Sequence, residues 1–156
     1  MNIEKLNLVK FMIDITPKDI LTEVEVDSWE EAVRIAGEIL YKNKKINKEY
    51  IEGMIRTIKS LGPYAVIAPG VALPHSRPED GALKAGFSIV ILKKPINFGS
   101  PNDPVKVVIA FASPDKKSHL EALQEISQLL ANEEIRKKLM SAKTPEEVIS
   151  ILKGNK

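Results

Sequence analysis

The segment Leu73-Pro74-His75-Ser76-Arg77-Pro78-Glu79 sets one of the chain's two histidines between two prolines, two residues before an arginine. Pro74 and Pro78 fix φ and lack a backbone N–H, so this stretch is neither helix interior nor central strand. An imidazole on a stiff loop beside a cation is a candidate nucleophile for an anionic group. The same residues equally suit a histidine that merely fills a loop. Neutral imidazole, with an ordinary pKa of about 6.5, has a free lone pair that can attack phosphorus. A covalent phosphohistidine would divide one transfer into two displacements. The charge it brings must be met by positioned donors, and Arg77, the amides around Ser76 and His119 are the groups available. No metal is demanded if those suffice.

Other chemistries find less support. A catalytic zinc site needs about three protein ligands. Here two histidines and the carboxylates of Glu79, Asp80 and Asp115 are on offer, without His-x-x-x-His spacing. Neither a metal nor a cofactor is expected, and a metal-dependent hydrolase would require metal at His75 and His119. No Gly-x-Gly-x-x-Gly, Walker loop or Gly-x-Ser-x-Gly occurs, which weakens nucleotide binding and serine hydrolysis. Glu79 and Asp80 read as surface charges before a turn at Gly81. Taken singly, Arg77 is also readable as a solvated loop residue, and His119 as a helix N-terminal residue with no partner.

Composition narrows the class. The 156 residues, 44% hydrophobic, fit one domain with a proper core. Lys and Arg number 23 against 21 Asp and Glu, and only 5% of residues are aromatic. That balance gives no basic stripe and few stacking rings, so nucleic acid is not an expected partner. The absence of cysteine excludes disulfides and thiolate chemistry. The opening Met1-Asn2-Ile3-Glu4-Lys5 carries an acid, and no run approaches the ~20 apolar residues of a membrane span. The chain reads as soluble and cytoplasmic, without membrane insertion.

The elements that must position the histidines follow from periodicity. Residues 20–26 suggest a strand. Ser28-Trp29-Glu30-Glu31 forms a capping box, and Trp29, Ala32, Val33, Ala36 and Leu40 follow at helical spacing. A second helix starts at Asn47, with Ile51, Met54, Ile55 and Ile58 on one face, and stops before Gly62-Pro63. Strands are expected at 64–68, 71–73, 87–92 and 105–111, with 87–92 buried and central. Four glycines and prolines between 93 and 104 make that stretch a connection. Helices are expected from about 116 to 131, from Asn132 through Met140, and from the Thr144-Pro145-Glu146-Glu147 capping box to Lys153. Helices on both sides of a strand-rich centre point to a layered α/β domain. Functional groups in such folds collect at strand exits, where both His75 and His119 fall.

Gly70-Val71-Ala72-Leu73-Pro74-His75, followed downstream by Ser118-His119-Leu120, resembles the enzyme IIA components of the bacterial sugar phosphotransferase system, in the mannitol–fructose superfamily. The resemblance runs from about Ile20 to Leu152. Leu61-Gly62-Pro63-Tyr64, Val66-Ile67-Ala68-Pro69-Gly70, Arg77-Pro78-Glu79-x-Gly81 and Asn102-Asp103-Pro104-Val105-Lys106 look like its ascorbate-type branch. The resemblance implies a single type-2 IIA domain over 1–156, with a core at about 20–152. It implies a three-layer α/β/α sandwich with a mixed central sheet. It further implies that His75 takes a phosphoryl group from phospho-HPr and passes it to a cysteine of a IIB component, which serves a membrane IIC. His119 would support His75, and ascorbate-type uptake follows from the branch alone. The alternative is a nitrogen-type regulatory IIA domain whose phosphorylation state controls a binding partner. Mannitol-type members carry an arginine where Thr57 falls here, with Arg56 beside it. Arg77 is therefore expected to take the arginine's role, with its head group turned toward His75.

Overall fold

The computed structural model describes residues 15–154, so both ends of the expected 1–156 domain, including Met1–Lys5, lie outside the described residues. A 3-10 turn at Pro17–Asp19 leads into β1 (Ile20–Val24), α1 (Trp29–Lys42) and α2 (Lys48–Leu61). A hairpin of β2 (Val66–Ala68) and β3 (Val71–Ala72) follows, then a 3-10 turn at Pro78–Asp80. The long strands β4 (Gly86–Ile96) and β5 (Val105–Ala112) precede α3 (Lys116–Leu130), α4 (Glu133–Ser141) and α5 (Pro145–Leu152). The five strands form one mixed sheet in the order β1-β4-β5-β3-β2. Pairs β1/β4 and β3/β5 are parallel, whereas β4/β5 and β2/β3 are antiparallel.

Strand alternation explains the three layers. Val90 and Leu92 of β4, with Val108, Ala110 and Ala112 of β5, pack in one cluster with Ala36, Leu40, Met54 and Ile58 of α1 and α2. Their neighbours Ile89, Ile91, Val107, Ile109 and Phe111 pack in a second cluster with Ile126 and Leu130 of α3, Leu139 of α4 and Val148 of α5. Successive side chains of a strand point to opposite faces, so two apolar clusters on one sheet mean that both faces are covered. This is the expected α/β/α sandwich. Among the described residues no helix is long and apolar enough to cross a membrane.

Several boundaries differ from the sequence expectation. The first strand stops at Val24 rather than 26, because Glu23 takes φ 57° and the pairing with β4 shifts register there. The strand expected at 64–68 begins only at Val66, whose amide closes a turn onto the Pro63 carbonyl at 3.0 Å. In the opposite direction, β4 continues through Lys93, Lys94 and Pro95, residues expected to belong to a connection. A register shift after Ile91 lets Ile96 pair with Val105, so the proline sits at an irregularity where no ladder N–H is needed. At the start of α1, Ser28 accepts from the Glu31 amide at 3.1 Å, while the Glu31 carboxylate reaches the Asp27 amide at 2.9 Å. The returning half of that box is thus displaced by one residue from the cap.

Topology then brings the two histidines together. Strands β3 and β5 are parallel neighbours, with Val71 opposite Val107 and Ala72 opposite Val108. They leave the sheet at the same edge, β3 into the His75 loop and β5 into the start of α3.

Candidate active site

After β3 the chain is held in an extended path. The Leu73 amide donates to the Ala65 carbonyl at 2.7 Å, and the Phe111 amide donates to the Pro74 carbonyl at 3.3 Å. His75 then turns its Nδ1 back onto the Leu73 carbonyl at 2.8 Å. A carbonyl oxygen only accepts, so Nδ1 carries the hydrogen and the Nε2 lone pair is free. The ring is boxed by Phe111, with centroids 5.0 Å apart, by the Tyr64 edge at 5.8 Å and by His119 at 5.5 Å. Burial lowers the His75 pKa below the ordinary histidine value, and the nearby His119 adds to that; the Leu73 carbonyl opposes it. The site therefore favours a neutral imidazole with one defined tautomer.

A buried tyrosine fixes the next residue. The Tyr50 hydroxyl accepts the Ser76 amide at 3.0 Å and donates to the Phe111 carbonyl at 2.9 Å, with the Ser76 carbonyl at 3.1 Å as an alternative acceptor. Burial raises the Tyr50 pKa, which keeps this hydroxyl protonated. The Ser76 amide, expected as a donor to an incoming anion, is thus engaged by Tyr50. The Ser76 hydroxyl in turn donates to Asp80 Oδ2.

The second histidine sits in the first turn of α3. Asp115 caps this helix, accepting the Ser118 amide at 2.8 Å, and that bond holds its carboxyl below the usual carboxylate range. One of the free amides at this helix N-terminus is thus engaged by its own cap. His119 packs on Phe111, with centroids 5.1 Å apart, and its Nδ1 is buried without a hydrogen-bond partner. An unpartnered buried acceptor costs less than an unpartnered donor, so the proton belongs on Nε2. Burial lowers the His119 pKa, with Glu79 opposing.

His75, His119, Thr57 and Arg77 all line one open cavity of about 410 Å³, with Tyr64 and Leu61 on its apolar side. Lys116 adds a second cation and Glu79 an anion to the same wall. Thr57 faces the cavity, but its hydroxyl donates to the Gly53 carbonyl at 2.7 Å and it carries no charge. The Arg77 head group departs from the expected aim at His75: its Nη2 lies 3.1 Å from Asp80 Oδ1, and the side chain is 73% exposed. Arg56 approaches the same oxygen at 3.9 Å. Asp80, expected to be a plain surface charge, is only 12% exposed and receives Ser76, Arg77 and Arg56. Among the described residues no three His, Asp or Glu side chains gather to hold a metal ion.

Sequence alone gives Tyr50 and Lys116 no part in the site, Tyr64 only a place in the family resemblance, and Asp80 only that of a surface charge or a carboxylate on offer to a metal. Tyr50 lies on an apolar helix face and looks like core, and Asp80 looks like one more loop acid. The one local signal for Asp80 is the spacing Ser76-x-x-x-Asp80 around Pro78, which lets the loop bond to itself.

Comparison with known proteins shows the family and the fold. The family model for the phosphoenolpyruvate-dependent sugar phosphotransferase system, EIIA 2, matches residues 15–155. The chain is 38% identical over 137 residues to the ascorbate-specific PTS system EIIA component of Escherichia coli K12, covering 86% of this chain and 89% of that protein. The fold is similar to the solution structure of the mannitol-specific cryptic phosphotransferase enzyme IIA CmtB from Escherichia coli. That likeness has a TM-score of 0.82 and 31% identity, covering 96% of this chain and 99% of the other. It is also similar, with TM-score 0.79 and 25% identity, to a chain in the complex of enzyme IIAMtl with phosphorylated enzyme IIBMtl, also from Escherichia coli. Coverage there is 91% of this chain and 99% of that one.

Proposed function

Because this chain belongs to the EIIA 2 family of the phosphoenolpyruvate-dependent sugar phosphotransferase system, we propose that His75 is its phosphoryl carrier, loaded by phospho-HPr and discharged to a cysteine of a IIB component. We read the chain as a IIA domain that serves a membrane IIC component through IIB. The observation that carries the assignment is the Nδ1 bond of His75 to the Leu73 carbonyl, in a cavity shared with His119.

In the loading step the Nε2 lone pair attacks phosphorus, and a nitrogen–phosphorus bond forms as the bond from phosphorus to its donor breaks. The electron pair leaves with the donor. The Nδ1–H keeps donating to the Leu73 carbonyl, whose dipole offsets the positive charge developing on the ring. The Nε2–H of His119 and the guanidinium of Arg77 are the donors for the phosphoryl oxygens. In the second step a cysteine thiolate attacks phosphorus, and the pair returns to His75 Nε2. The first step needs a neutral His75, which its burial favours, and the second step regenerates it.

The identity to the ascorbate-specific relative supports ascorbate-type transport over the regulatory reading. Incubation with phosphoenolpyruvate, enzyme I and HPr, followed by intact-mass measurement, tests the carrier role. One added phosphoryl group is expected, acid-labile and alkali-stable, and absent from a folded His75→Ala variant. Phosphorylation that persists in that variant excludes His75.

A further inference from the structure

We propose that Asp80 is a positioning residue that parks Arg77 at the cavity rim and yields it to the phosphoryl group once His75 is loaded. This rests on the reading of His75 as the phosphoryl carrier. Asp80 has two differently committed oxygens. Oδ2 takes the hydroxyl of Ser76, the residue next to His75, whereas Oδ1 faces Arg77 at 3.1 Å and Arg56 at 3.9 Å. The carboxylate is the fixed partner, being 12% exposed, against 73% for Arg77 and 63% for Arg56. Two arginines therefore share one anchored acid, and both have room to move.

Arg77 lines the same cavity as His75, and a phosphoryl group on Nε2 would bring close to two negative charges into that cavity. A guanidinium at the rim then meets a stronger anion than a single carboxylate oxygen, with three acceptor oxygens suited to its planar fork. When Arg77 turns inward, Arg56 remains beside Asp80 Oδ1, and Ser76 remains on Oδ2. The acid is never left bare, and the loop that carries His75 does not lose its anchor. One carboxylate facing two arginines is thus accounted for by exchange of one of them. A carrier must release its phosphoryl group, and competition from Asp80 keeps the hold of Arg77 on that group weak.

Asp80→Asn isolates this role, because its side-chain carbonyl still accepts the Ser76 hydroxyl while the competing charge is gone. At equilibrium with phospho-HPr, the variant is expected to carry about two- to fivefold more phosphoryl group than the parent, the size of an exposed ion pair. The gain should vanish in the Arg77→Ala background, since the effect runs through that residue. An equal gain in that background, or none in a folded Asp80→Asn, overturns the proposal. A second reading uses the unaltered protein: the side-chain N–H resonance of Arg77 should shift on phosphorylation while that of Arg56 stays. Failure of the parent to accept a phosphoryl group at all overturns the carrier assignment and this proposal with it. A loaded parent with an unmoved Arg77 overturns this proposal alone.

Discussion

The hydroxyl of Tyr50, on α2, lies 3.0 Å from the amide of Ser76 and closes the active loop against the core from below. The same oxygen bonds the Phe111 carbonyl on β5 at 2.9 Å, so one buried atom ties a helix, a strand and the loop next to His75. Tyr50→Phe keeps the ring and deletes only this atom. It leaves the Ser76 N–H and the Phe111 carbonyl without their partner, at a cost of about 1–3 kcal/mol. Denaturant unfolding should show a lower midpoint at unchanged slope. Loading of His75 should slow as well, because its neighbour is no longer fixed. A midpoint equal to the parent's would mean that water replaces the hydroxyl without loss.

Burial holds the pKa of both His75 and His119 below the ordinary value. Between those lowered values and the unfolded value of about 6.5, the unfolded chain binds protons that the native chain does not. Stability therefore rises with pH through that window, and is lost as pH falls from about 6.5 toward the lowered pKa values. Asp80 and Asp115, whose carboxyls are held low by the Ser76 hydroxyl and the Ser118 amide respectively, act only at more acid pH. Their contribution disappears as pH drops through their own lowered values. Loading of His75 should stay level from neutral pH to below 6.5, because its Nε2 remains unprotonated. An NMR titration of the ring that gave a midpoint at or above 6.5 would contradict this.

His119 offers one donor, Nε2–H, since its Nδ1 is buried without a partner. His119→Ala should still be loaded by phospho-HPr but pass the group on more slowly. Loss of one positioned donor commonly costs about 10²–10³ in rate. His119→Gln, whose amide can place an N–H in a similar position, should recover part of the loss. Rapid-quench measurement of transfer to a IIB component reads both, and unchanged transfer in His119→Ala removes His119 from the site.

The sequence carried the layers and the histidine pair because both depend on local signals. Nearly continuous apolar runs at 87–92 and 105–111 mark strands covered on both faces, and prolines around His75 mark a strand exit. What it did not carry depends on contacts between distant segments. Nothing near Tyr50 shows that its hydroxyl will meet Ser76, since an apolar helix face looks the same whether or not it ends in a polar tip. Closeness in sequence points Arg77 at His75, yet a 3-10 turn at Pro78–Asp80 folds the chain back and delivers Asp80 to it at 3.1 Å. The extension of β4 past Leu92 was hidden by Lys93, Lys94 and Pro95, which suit an overhanging strand as well as a loop.

Gly53 tests how closely α2 must approach the loop. A glycine inside a helix is ordinarily improved by alanine, by up to about 1 kcal/mol. At this position an added Cβ would lie 2.9 Å from the Ser76 hydroxyl oxygen and 3.2 Å from both Asp80 Cβ and Oδ2. The Ser76 side chain is short and can escape only by rotating away from Asp80, which breaks the bond that anchors the loop. Propensity and packing thus oppose one another, and they act on different observables. Gly53→Ala should keep the helix, with a melting temperature within a few degrees of the parent, while its loading by phospho-HPr drops severalfold. Ser76→Ala alone, which deletes the same bond without adding a Cβ to the helix, should lower loading to a similar extent if loss of that bond is the cause. A Gly53→Ala variant that loads at the parent rate would show either that the loop tolerates a side chain there or that the Ser76–Asp80 bond does not govern the geometry of His75.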